Sequence, residues 1–101
     1  MLSLKAGVKV AGMRPEILLA AVTAERVFEK AGFECTITSC VDGQHMTGSL
    51  HSKGAAIDLR TRHVPHAIEL RQILDRIKEC LGAEYDVVVE TDHLHIEWDP
   101  K

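Results

Sequence analysis

Two short segments concentrate the groups able to do chemistry. The first holds His51 and Asp58 around Gly54, and the second is Asp92-His93-Leu94-His95-Ile96-Glu97 near the C-terminus. Together they offer two imidazoles and a carboxylate that can meet on one metal ion. A catalytic zinc centre needs that inventory: a few nitrogen and oxygen ligands and one open position for water. His51 and Asp58 supply two ligands, and His95 can supply the third, for one Zn²⁺ per chain. A neighbouring carboxylate then takes the water's proton during attack on a carbonyl. Asp92, three residues before His95, is the candidate base, and Glu90 is the alternative. His93 is placed to steady an oxyanion or shuttle a proton. His45, in the stretch leading to His51, is a candidate outer or substrate contact. Each residue also has an ordinary explanation. His51 could cap a turn, Asp58 could pair with Arg60 or Arg62, and His93 and His95 could decorate a solvated strand. Their joint occurrence is what points to a metal.

The elements that must position these groups follow from the apolar pattern. Over residues 15–31, Ile17, Leu18, Ala21, Ala24, Val27 and Phe28 recur at helical spacing, with Pro15 suited to the first turn and Gly32 to the stop. Residues 36–38 are β-branched and read as a short strand, residues 41–50 as loop, and residues 55–60 as a second strand. A second helix covers residues 65–81, with Leu70, Ile73, Leu74, Ile77 and Leu81 in one stripe and Gly82 closing it. Residues 85–90 and 93–98 form an antiparallel hairpin across Thr91-Asp92. The expected fold class is α+β: a small, largely antiparallel sheet with helices on one face and a zinc cleft on the other.

Strand parity sharpens this reading, because residues two apart share a face. If Ile57 and Leu59 face the core, Asp58 and Arg60 face the cleft. If Leu94, Ile96 and Trp98 face the core, then His93, His95 and Glu97 face the cleft. His63 and His66, flanking the second helix, read as surface residues.

Composition bounds what else the chain can be. Its 101 residues give one domain with a single core. A net charge of −3 and a pI near 6.0 argue against a non-specific nucleic-acid grip. The longest strongly apolar run, residues 17–22, is too short for membrane insertion, and no export signal is apparent. Cytoplasmic synthesis without self-export is expected. Cys35, Cys40 and Cys80 are odd in number and lack zinc-knuckle spacing, so free thiols without a disulfide are expected.

Ser49-x-His51-x-x-Gly54-x-Ala56-x-Asp58 resembles, at every specified position, the S-x-H-x-x-G-x-A-x-D signature of the zinc D-Ala-D-Ala carboxypeptidases and phage L-Ala-D-Glu endolysins. Asp92-x-x-His95 is similar to that family's acid three before the last zinc histidine. His93-x-His95 is similar to the H-x-H of the wider group containing lysostaphin and the hedgehog signalling domain. The likeness spans residues 36–98, and both placements favour His95 over His93 as ligand. It implies a compact zinc peptidase on peptidoglycan stem peptides, phage or prophage encoded, reaching the wall after release or in a virion. In that reading His51, Asp58 and His95 bind zinc, Asp92 activates water and His93 assists. The rival is a non-hydrolytic zinc-binding recognition module on the same fold. A cupin-like reading of His93, His95 and Glu97 fails for want of the many short strands a double-sheet barrel requires. In one respect the chain departs from the family, which often carries an arginine ahead of the first zinc histidine. Here residues 39–51 contain no Arg or Lys. Lys53, or Arg60 on the cleft face, is expected to supply positive charge for substrate instead.

Overall fold

The computed structural model describes residues 1–42, 50, 51 and 53–100. Five strands and two helices follow one another as β1 (Leu2–Leu4), α1 (Pro15–Lys30), β2 (Cys35–Ser39), β3 (Ala56–Arg60), α2 (Ala67–Leu81), β4 (Tyr85–Val89) and β5 (His93–Trp98). The strands form one sheet in the order β1-β2-β3-β5-β4. Three of its pairings are antiparallel, while β1 runs parallel to β2. The fold is therefore α+β with a mixed sheet, one strand larger than expected.

The extra strand is β1. Its register sets Leu2 against Cys35 and Leu4 against Ile37, and the pairing continues as the Lys5 N–H donates to the Ile37 carbonyl at 2.9 Å. Three residues are too few for a periodicity to stand out. A parallel neighbour needs a crossover connection, and α1 supplies it.

Helix α1 begins at Pro15, whose missing N–H belongs to the unpaired first turn, and ends before Gly32 at φ +90°. It buries Ile17, Ala20, Ala21, Ala24, Val27 and Phe28 against the sheet. Leu18, expected in that stripe, is 54% exposed, whereas the small Ala20 is fully buried. Helix α2 buries Ile73, Leu74 and Ile77, and Gly82 follows at φ +86°. From the strands, Cys35, Ile37, Ile57, Leu59, Val87, Leu94 and Ile96 point into the same core. Both helices thus lie on one face of the sheet. No helix among the described residues is long and apolar enough to cross a membrane.

His63 is half-buried, not a surface residue. Its ring stacks on Phe28 and meets Phe33 edge-on, and its Nε2–H donates to the Glu34 carbonyl at 2.7 Å. His66 is exposed at the start of α2. All three cysteines are free; Cys35 and Cys40 are buried and Cys80 is exposed. Burial pushes the Cys35 thiol up to about 12, with the Glu25 carboxylate adding to the shift.

Candidate metal centre

The helix-free face of the sheet is built from alternate residues of neighbouring strands. The β3–β5 register sets Asp58 directly opposite His95 and Arg60 opposite His93. With Ile57, Leu59, Leu94 and Ile96 held in the core, parity leaves these polar partners, and Glu97, on the other face. His51 reaches the same place from a tight turn closed by the Gly54 N–H donating to the His51 carbonyl at 3.0 Å. Gly54 is required there twice over. Its φ is +73°, and any Cβ would collide with the Gly12 carbonyl, because residues 12–14 cross directly above. The Arg14 N–H donates to the Gly54 carbonyl at 3.0 Å and fastens that crossing.

One oxygen organises the cluster. Asp58 Oδ1 lies 2.9 Å from His95 Nδ1, 3.2 Å from His51 Nε2 and 3.6 Å from His93 Nε2. His51, Asp58 and His95 each bring one ligand atom to within 4.8 Å of the others, so this group could hold a metal ion. His51 is buried and its two partners are half-buried.

The outer contacts set which ring nitrogen faces the centre. His51 Nδ1–H donates to the Cys40 carbonyl at 2.9 Å, so Nε2 carries the lone pair towards Asp58. His95 Nε2–H donates to the Glu97 carboxylate at 2.9 Å, so Nδ1 is the nitrogen presented to Asp58. A lone pair on nitrogen then faces a lone pair on carboxylate oxygen in both cases. A proton or a metal ion must lie between them. Metal-binding histidines typically make this second hydrogen bond to a carbonyl or carboxylate, which orients the ring and raises its basicity. The donor set, two imidazoles and one carboxylate, suits zinc with a position left over.

Electrostatics agree with a site that wants a cation. Burial pushes the Asp58 carboxyl up, but hydrogen bonds from His51 and His95 outweigh it and hold the group below its ordinary range. The hydrogen bond to Asp58 holds His95 above its ordinary value against partial burial, and Glu97 adds to it.

Beside the centre lies a cleft of about 420 Å³, lined by Asp58, Arg60, Asp92 and His93 and also by Lys5 and Arg62; of the three candidate ligands Asp58 alone lines it. Asp92 is 82% exposed and accepts a hydrogen bond from His93 Nδ1–H at 2.7 Å, which lowers its pKa. It therefore meets the cluster through His93, whose other nitrogen points towards Asp58. Glu90 is exposed and does not line this cleft, nor does Lys53. His45 and Ser49 lie outside the described residues. Sequence reading did not foresee the orienting role of Glu97, the Cys40 carbonyl as partner of His51, or Lys5 and Arg62 in the cleft wall. For Glu97 the H-x-H-x-E alternation was a usable signal; a backbone carbonyl leaves none. Asp86, Glu97 and Asp99 form a second close group, but it contains no imidazole and Asp99 is half-exposed.

No family model, curated protein or solved structure matches the chain.

Proposed function

We propose that the chain is a zinc-dependent peptidase that hydrolyses peptide bonds in peptidoglycan stem peptides or cross-links, an enzyme of the phage or prophage endolysin type. The observation that carries this reading is the outer hydrogen bonding of His51 and His95. It presents one nitrogen of each ring to Asp58, which itself lines the cleft. The S-x-H-x-x-G-x-A-x-D resemblance supports it, as does a helix-covered sheet like the one expected of the hedgehog and D-Ala-D-Ala peptidase group. His51 Nε2, an Asp58 oxygen and His95 Nδ1 would hold the ion. Zinc bound there supplies Lewis acidity that polarises a peptide carbonyl and acidifies water.

The chain's own residues do the rest. Glu97 and the Cys40 carbonyl keep the two ligand rings in the right tautomer and orientation. Asp92 is the proposed base, and His93, bonded to it, carries a proton between Asp92 and the cleft. Arg60 lies on the same face and holds substrate charge.

The second reading, a zinc-binding recognition module without hydrolysis, draws on one observation: Asp92 is largely exposed and tied to His93. Incubation with purified peptidoglycan, followed by mass analysis of the fragments, separates the two. The peptidase reading expects new peptide termini that disappear with a zinc chelator and return with zinc. Intact peptidoglycan in the presence of a fully zinc-loaded protein would hand the function to the binding module.

A further inference from the structure

We propose that the chain forms a two-fold dimer through the open edge of its sheet, β1 pairing with β1 of a second copy and the outer apolar stripe of α1 closing over the joint. The inference is independent of the metal centre, which lies on the helix-free face.

Helix α1 is apolar on two sides. Its inner stripe fills the core, while Pro15, Leu18, Leu19 and Val22 recur at i, i+3, i+4 and i+7 as a second stripe, exposed along its length. A helix that serves one core needs a single stripe. Between the second stripe and β1 runs a groove of about 510 Å³, whose lining, including Leu2, Leu4, Val10, Met13 and Leu18, is apolar throughout. Leu4, Val10, Leu18, Leu19 and Val22 are between 38% and 60% exposed and together present roughly 400 Å² of apolar surface. A standard interface takes about 800 Å² from each partner, about 60% of it apolar. With its backbone edge and polar rim, this patch is the size that one protein partner covers.

The edge of β1 says which partner. β1 is paired on one side alone, to β2. The Met1 carbonyl and the Lys5 N–H both turn towards β2, so alternation turns the N–H and C=O groups of Leu2 and Leu4 out of the sheet. Those four groups are self-complementary. About a two-fold axis through Ser3, Leu2 faces Leu4 of the second copy and exchanges both hydrogen bonds with it, and Leu4 does the same with Leu2. Leu-Ser-Leu reads alike in both directions, so this antiparallel register sets apolar side chains against apolar ones. Leu2 and Leu4 stand beside Cys35 and Ile37 of the core and therefore on the helix face, where the groove of each copy continues into the other. Ser3, bonded to Thr36 Oγ1 at 2.9 Å, lies on the opposite face, and Lys5 shares it. The lysine that could guard this edge thus points away from its apolar side.

The test is sedimentation equilibrium of the whole chain over a range of concentrations, with a dimer expected to dominate above about 10 µM. In Leu18→Glu the dissociation constant should rise at least about a hundredfold, because the two-fold axis buries the new charge twice. Its melting temperature at low concentration should be retained, because Leu18 is exposed in the single chain. A cross-link checks the register. Residues facing each other across the axis lie about 4.5 Å apart, within reach of a disulfide. With the exposed thiol removed by Cys80→Ser, adding Ser3→Cys should give a covalent dimer under oxidised glutathione. Cys80→Ser alone, left with the buried Cys35 and Cys40, should not. A monomeric mass at every concentration would overturn the proposal and leave the groove to a different protein. A dimer equally tight in Leu18→Glu, or one that Ser3→Cys does not cross-link, would place the contact elsewhere and overturn it too.

Discussion

Strands β3 and β5 carry two different kinds of residue, one on each face. Towards the helices stand Ile57, Leu59, Leu94 and Ile96, all 0% exposed. Towards the cleft stand Asp58, Arg60, His93, His95 and Glu97, all half-buried. Full burial of each aliphatic side chain stabilises the fold by about 1.5–3 kcal/mol. The polar face contributes little of that kind; its His51, Asp58 and His95 atoms are held together by a shared proton or by a metal ion. Stability and chemistry thus occupy alternate positions of the same backbone. The strands hold all five polar side chains in register, whereas His51 needs its own turn, its buried position and its bond to Cys40.

If the faces are separate in function, substitutions one residue apart should behave differently. The largest effect is expected at Asp92. Asp92→Ala should slow peptidoglycan turnover by about a hundred- to ten-thousand-fold while zinc stays bound. Glu90→Ala, measured beside it, should be active; the opposite pattern assigns the base to Glu90. Next comes the core. Leu59→Ala should cost about 2–5 kcal/mol in denaturant unfolding, and its neighbour Arg60→Ala less than about 0.5 kcal/mol. Equal losses would break the division between the faces.

Glu97→Ala should keep the fold and weaken zinc binding by about ten- to a hundredfold, as read by competition with a chelating dye. An unchanged affinity would mean that the Glu97 contact does not orient His95. The smallest effect is on pH dependence. His95 is raised above its ordinary 6.5, so its contribution to the metal-free fold is full below 6.5 and is lost as pH rises through the folded value. Asp58 is lowered from 3.8, so its contribution is present above 3.8 and is lost as pH falls through its own folded value. Zinc competes with the proton on His95, so zinc binding strengthens as that proton leaves. The rise in Tm on adding zinc should therefore widen with pH above 6.5. A constant increment across that range would contradict the coupling.

Much of this division was legible in the chain because period two is a strong constraint. The placement of Asp58, Arg60, His93, His95 and Glu97 on one face needed only the apolar residues between them. Both helices were legible from their stripes and from Pro15, Gly32 and Gly82. Strand β1 was not, since Leu2–Leu4 is short and its partner lies beyond a whole helix. With no local pattern for β1, nothing in the sequence places Lys5 in the cleft. The burial of His63 is not legible locally, because its neighbours, Phe28 and Phe33, come from α1 and the segment after it. The need for Gly54 could be seen as a turn, but the collision with Gly12 depends on a crossing that no local pattern encodes.

His51, Asp58 and His95, and not His93, are the ligands proposed for the metal. Metal analysis of the purified protein and three single variants tests that assignment directly. One zinc per chain is predicted for the unaltered protein and for His93→Ala, and little or none for His51→Ala and His95→Ala. Stoichiometric zinc surviving in His51→Ala or His95→Ala, or zinc lost only in His93→Ala, would contradict it.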